Sequence, residues 1–331
     1  MAGFITQDHA IVGVKSETTY GADAFGGSAP SGAEVLAMGQ ADISQIIAIV
    51  EGDRITAEFA GECDSRAPSH NEVEWSTPLI GSSAAGVLPP VDPLLKAAGF
   101  VATVVTDTSV TYAPQLANNQ TETPACTMVV YERSIEDGTA RKLLARGMRT
   151  NLSIALEVGA EAMISGSGIA LYDAYPASPS ALPTLPTQYS GDQCAWFVNK
   201  IALTVDGTVY PCEGLTLETN NEIQQVMTGE ATGGGMLAKA LLTKPKSGAR
   251  YGGSFTLVDG ASALAEVIAL WQSGEKIALE AVLTKNSRTI TISGTVQIGG
   301  LEKEAPRFSV PYSFVRPDGE SGVDHFTIVM E

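Results

Sequence analysis

Between Pro176 and Pro186 the chain carries four prolines in eleven residues. A proline fixes φ and donates no backbone hydrogen bond, so this density excludes helix and most sheet pairing. The segment has to be a connection. It splits 331 residues into two parts, each long enough to bury a core. The expected division is an extended N-terminal arm over 1–42, a first domain over 43–175, a proline-rich linker over 176–194 and a second domain over 195–331.

Both parts read as short strands and turns, so the expected fold class is mainly β. Residues 1–40 are rich in Gly, Ala, Ser and Thr, and Phe25 to Gly32 can hold no regular element, which predicts the arm. Ile43 to Val50, the turn Glu51-Gly52-Asp53, and Arg54 to Ala60 predict a hairpin with one buried face. The polar stretch Gly61 to Glu74 suits an exposed loop or a projecting hairpin tip. Beyond the linker, a strand and turn are predicted over Asn199–Tyr210, and strands over Gly214–Thr219 and around Tyr251–Val258. A long loop over Asn220–Ala249 separates the last two. A helix follows over Ala261–Gln272, with Leu264, Val267, Ile268 and Trp271 at helical spacing, and then strands over Lys276–Leu283, Arg288–Ile298 and Arg307–Val315. This order repeats that of the first part: Asp92–Gly99 corresponds to Ala261–Gly274, and Leu152–Tyr172 to Arg288–Val315. Such a repeat leaves both a tandem duplication and two unlike domains open.

Charge narrows the function. There are 37 Asp and Glu against 20 Lys and Arg; residues 1–175 hold 21 acids and 9 bases, and residues 176–331 hold 16 and 11. Nucleic-acid binding by phosphate neutralisation needs the opposite balance. Cys63, Cys126, Cys194 and Cys212 are far apart with no CxxC spacing, which predicts buried free thiols in a reducing compartment instead of a metal or redox centre. His9, His70 and His325 have no Ser or Cys partner at a recognisable spacing, so no catalytic residue is assigned. Gly233-Gly234-Gly235 lacks the strand, helix and Lys-Ser or Lys-Thr of a phosphate loop, and no cofactor is expected. Residues 1–10 do not resemble a signal peptide, and the longest apolar runs fall far short of the ~20 residues that cross a bilayer. A soluble cytoplasmic product is expected.

Four segments in order carry a resemblance. They are Val14-Lys15-Ser16-Glu17-Thr18-Thr19-Tyr20-Gly21-Ala22; Pro90 to Phe100, followed by Thr108 to Pro114; Gly138 to Thr150, leading into Leu152 to Gly159; and Ile164 to Tyr172. Together they span roughly residues 11–175, and in this order they resemble the tail tube proteins, or major tail proteins, of long-tailed bacteriophages. The resemblance implies a tail-tube-type β-sandwich or barrel with a short flanking helix, and it favours the tandem duplication. It implies a structural virion protein, assembled in the host cytoplasm, whose rings stack into the conduit for DNA ejection. With a duplicated chain, three copies would make one pseudo-hexameric ring. The implied partners are further copies of the chain, a tape measure protein in the lumen, and tail terminator and distal tail or baseplate proteins. DNA would pass without specific binding.

The acidic excess then suggests a negative bore. Acids beside predicted strands, Glu58, Glu157, Glu161, Glu218 and Glu280, are the lumen-lining candidates. The long loops supply candidates for contacts between rings: Glu62, Asp64, Glu72, Ile223, Val226, Met227, Met236 and Leu237. Competing readings are another phage β-protein (a tail terminator, decoration protein or baseplate hub) and a secreted carbohydrate-binding β-sandwich. The last needs an aromatic platform, which the scattered Trp75, Trp196 and Trp271 do not suggest.

Overall fold

The structure, a computed structural model, describes residues 11–31, 34–36, 38–50, 65–115, 123–133, 139–173, 180–181, 196–227, 237–243, 250–258, 261–285, 288–304, 307–316 and 326–331. Arg54–Ala60, Glu58, Glu62, Asp64, Met236 and most of 176–194 lie outside these residues.

The first part contains β1 (Ile11–Ser16), β2 (Val35–Leu36), β3 (Gln40–Val50), β4 (Ser65–Pro78), α1 (Asp92–Ala97), β5 (Phe100–Val105), β6 (Ser109–Pro114), β7 (Cys126–Arg133), β8 (Thr139–Thr150), β9 (Ser153–Glu157) and β10 (Met163–Leu171). A two-residue strand β11 (Ser180–Ala181) pairs with β8. The second part contains β12 (Ile201–Val205), β13 (Thr208–Thr219), β14 (Glu222–Met227), β15 (Leu237–Thr243), β16 (Tyr251–Val258), α2 (Ala261–Ser273), β17 (Ile277–Lys285), β18 (Arg288–Ile298), β19 (Glu302–Glu304), β20 (Arg307–Phe314) and β21 (Phe326–Met330). The mainly β fold class therefore holds, and the two parts share one antiparallel sheet of 19 strands.

Two readings of the sequence need correction. Residues 11–16 are not part of an arm: β1 pairs with β7 along its length and buries Ile11, Val12 and Val14. Its neighbours on both faces are apolar, so it lacks the alternation that marks a half-buried strand. Of the two readings of Gly61–Glu74, the loop fails over residues 65–74, which form one arm of the β3–β4 hairpin. They belong to β4, where Asn71, Val73 and Trp75 point inward and Glu72 and Glu74 outward.

Helix α1 has six residues, too short to be stable by propensity alone. Leu94, Leu95 and Ala97 are wholly buried, and each leucine contributes about 1.5–3 kcal/mol of apolar burial. Asp92 accepts from Lys96 one turn later, at 2.7 Å, and from the Tyr112 hydroxyl at 2.9 Å. Burial, reinforced by the Asp92 carboxylate, pushes the Tyr112 phenol well above its ordinary pKa. In α2, Val267 is buried and Leu270 packs against the core, whereas Trp271, at helical spacing with Val267 and Ile268, is exposed.

The same pairing scheme occurs twice. In one unit β4 lies between β3 and β10, with Ala41, Trp75 and Gly166 in register. In the other β16 lies between β13 and β20, with Leu215, Phe255 and Val310 in register. The outer edge of β10 carries β9 beside residues 163–165 and β8 beside residues 168–169. The outer edge of β20 likewise carries β19 beside 307–309 and β18 beside 312–314. A helix follows β4 and β16, and a hairpin follows each helix: β5–β6 after α1, β17–β18 after α2. The two helices hold like places in this order, and β9–β10 has its like in β19–β20; the sequence alignment of Leu152–Tyr172 with the whole of Arg288–Val315 is not followed, since β18 belongs to the hairpin after α2.

Outside the repeated unit the two parts differ. The second closes a six-strand barrel in the order β12, β13, β16, β20, β18, β17. The first runs from β8 to β7, β1 and β2. The parts meet where β9 pairs with β13 and where β21 sits between β18 and β6. Their core is continuous: Phe326 of β21 packs 5.7 Å from the Phe100 ring and 4.4 Å from the Phe314 ring.

Candidate functional site

Across β3, β4, β10, β9, β13, β16, β20 and β19 the backbone forms one run of eight strands. Residues opposite one another in antiparallel strands share a face, so the two faces follow from the registers. One face is core: Ile43, Trp75, Ile164, Ile154, Leu217 and Phe255 are buried there. The other is small and polar. Ser76 stands opposite Gln40 and Ser165, Ser165 opposite Ser153, and Ser153 opposite Glu218. Continuing, the Thr216 and Ser254 hydroxyls lie 3.1 Å apart, and Thr256 stands opposite Ser309. Two open concavities mark this surface, one lined by Gln40, Ser76, Ser153, Ser165 and Glu218 and the other by Ala155, Glu157, Thr216 and Ser309.

Its charge is one-sided. Asp42, Glu72, Glu74 and Glu157 come from the first part, and Glu218 and Glu302 from the second. Among the described side chains of these strands, Arg307 is the one Lys or Arg on this face, paired with Glu213 at 2.5 Å, and His70 stands 3.7 Å from Glu72. Two of the lumen candidates, Glu157 and Glu218, thus fall on one polar face with Glu72. Glu161 sits at the β9–β10 turn in a bridge with Phe197. Glu280 lies elsewhere, on the exposed side of β17 opposite Thr204 and Ser293. Sequence reasoning missed Asp42, Glu74 and Glu302. The alternation Glu72-Val73-Glu74-Trp75 is the signal that places Glu74.

The loop predicted over Asn220–Ala249 contains an antiparallel hairpin, β14 with β15, holding Ile223, Val226, Met227 and Leu237. It lies against the first part: the Ala240 amide donates to the Tyr20 hydroxyl at 2.7 Å, and Lys239 stands over the Tyr20 ring. At the hairpin's base Asn221 exchanges two hydrogen bonds with Asn151 and donates to the Ala98 carbonyl. Val226 remains 40% exposed.

The segment Val14–Ala22 owes its composition to a buried carboxylate. Glu17 is 6% exposed and accepts from the Gly147 amide (2.6 Å), the Gly21 amide (2.6 Å) and the Thr127 hydroxyl (2.8 Å). Tyr20 donates to the Gly147 carbonyl at 2.9 Å. Gly147 has φ +62°, and a Cβ there would meet the Tyr20 ring at 2.9 Å, so both the turn and the contact require glycine.

Cys126 and Cys212 are buried free thiols. Burial pushes both upward, Cys212 to about 11. A thiol-reactive dye applied to the native chain should therefore leave Cys126 and Cys212 unmodified until denaturant is added, as peptide mapping would show. Cys63 and Cys194 lie outside the described residues. Among the described residues, no group of three His, Cys, Asp or Glu side chains could hold a metal ion, and no helix is long and apolar enough to cross a membrane.

The strand run thus has one buried face and one polar face rich in carboxylates, a β-protein whose surface is built from sheet. The family model described as phage tail tube protein matches residues 8–315, and the chain belongs to that family. It is a structural protein of the virion tail, and the family implies assembly of like subunits into a tube. A comparison with curated proteins found no match.

Proposed function

We propose that three chains close into one ring of approximate sixfold symmetry, and that rings stack into the conduit through which DNA leaves the virion. The two four-strand units, β3-β4-β10-β9 and β13-β16-β20-β19, are taken as tandem copies of a tube domain, a reading carried by their matching registers. Joined edge to edge around the ring, the runs form a continuous inner barrel, which leaves no strand edge exposed. The polar face lines the bore. Its carboxylates repel the DNA backbone at short range, since screening confines the field to about 8–10 Å at physiological salt.

The hairpin β14–β15 and the connection between β3 and β4 leave their units at the same place in the order, and both are assigned to contacts between subunits or rings. A tape measure protein occupies the bore during assembly in the host cytoplasm; terminator and distal tail or baseplate proteins close the ends. Electron cryomicroscopy of tubes formed by the purified protein tests the stoichiometry. Three chains per ring, each contributing two superposable units, is the expected result, and six chains per ring would refute the duplication.

A further inference from the structure

The internal seam between the two units specifies the seam between chains. Within one chain β9 pairs with β13: Ser153 stands opposite Glu218, Ala155 opposite Thr216 and Glu157 opposite Gly214. Its hydrogen bonds run through the odd-numbered residues of β13, as the contacts Val158 N to Glu213 O and Thr219 N to Leu152 O show. The Ser153–Glu218 pair is therefore a close pair that exchanges no hydrogen bonds.

Each strand of this seam has a counterpart in the other unit. Ser153 faces Ser165 on β10 as Glu302 faces Ser309 on β20, so β9 corresponds to β19. Glu218 faces Gly252 on β16 as Ser44 faces Glu72 on β4, so β13 corresponds to β3. β3 and β19 are the outermost strands of the eight-strand run.

We propose that β3 of one chain pairs antiparallel with β19 of a second copy, with Ser44 opposite Glu302 and Asp42 opposite Glu304. The inference rests on the ring reading above and adds to it the two strands and their register. The occupant of this edge is another copy because the seam already exists once inside the chain, and repeating it propagates the polar face without a break. A slip of one residue would turn the polar face of the incoming strand toward the core.

Disulfide mapping tests the register. Close pairs of this kind put Cα atoms about 4.5 Å apart, within the range a disulfide spans. Ser44→Cys with Glu302→Cys is introduced together with Cys63→Ser and Cys194→Ser, leaving Cys126 and Cys212 as buried native thiols. Oxidised tubes should yield covalent dimers and trimers on denaturing gels. Asp42→Cys with Glu302→Cys, displaced by two residues, should cross-link at roughly a tenth of that yield or less, because its Cα separation exceeds disulfide reach. Ser153→Cys with Glu218→Cys should close within the monomer.

Tubes in which the displaced pair cross-links better, or in which neither pair does, overturn the proposed seam. If the Ser44/Glu302 variant fails to assemble, a density map of the wild-type tube decides: any strand other than β19 beside β3 refutes the register. A wild-type chain that forms neither rings nor tubes overturns the ring reading itself, whereas tubes joined at other strands overturn this seam alone.

Discussion

Replacing Glu17 by alanine is expected to lower the free energy of unfolding by about 3–5 kcal/mol. The carboxylate serves the Gly147 and Gly21 amides and the Thr127 hydroxyl from a site with almost no access to water. The hydroxyl has a second acceptor, the Ala22 carbonyl at 3.3 Å, so its loss is small. The two amides are left without Glu17, at about 1–3 kcal/mol each, and the vacated volume adds to that. Against a total of about 5–15 kcal/mol for a folded protein, this is a large fraction. Glu17→Gln keeps the shape and one acceptor but turns an amide donor toward a donor, so it should fall between the two. A urea titration of the unassembled chain measures both. A loss below about 1 kcal/mol for the alanine variant would show that the carboxylate does not hold the segment together.

Reversing charge on the polar face should leave tubes intact and impede DNA. Glu74, Glu157 and Glu218 are exposed, and exposed substitutions away from packed or bonded positions change stability by about 0.5 kcal/mol or less. Glu74→Lys, Glu157→Lys and Glu218→Lys together would place nine lysines in a three-chain ring. Phosphate contacts in that number release counterions and give binding that falls about a thousandfold or more between 50 and 200 mM salt. Ejection from virions carrying the triple variant should slow by roughly tenfold or more at low salt and recover as salt rises. Ejection indistinguishable from wild type at low salt, from tubes of normal appearance, would mean that this face does not line the bore.

Strands with one wet face were legible from sequence. Ile43–Val50 lies within β3, Thr108–Pro114 covers β6, and in the second part β12, β13, β16, β17, β18 and β20 match the strands read from sequence, whereas β14, β15, β19 and β21 do not. Elements that break alternation were not. β1 is apolar on both sides, and it lies in a glycine-rich stretch that suggests an arm. β4 opens with Ser65-Arg66-Ala67-Pro68, which hides the alternation that follows. The hairpin β14–β15 reads as a loop because its apolar residues lack a clear period of two, and because its partner surface is remote in sequence, 70 residues away in the Asn151–Asn221 pair.

The candidate face was half legible. Acids beside strands could be named, but their side of the sheet depends on register, which the chain does not reveal until strands are paired. Glu280 shows the limit: it alternates with buried Leu279 and Ala281 as Glu218 does with Leu217 and Thr219, yet its strand belongs to the barrel and not to the eight-strand run.

The position of β21 has a consequence for biosynthesis. Phe326, Ile328 and Met330 are buried, and their strand fills the gap between β18 and β6, pairing Ile328 with both Ile292 and Tyr112. Residues 326–330 leave the ribosome after every other strand of the sheet. At about 5–20 residues per second, β6 waits roughly 10–40 s for this partner. The first part cannot finish folding while it is being made, and a nascent chain cut short before Phe326 keeps an open seam at its centre. This seam between the two units therefore stays open until synthesis has passed Met330, because only then can β21 fill the gap between β18 and β6.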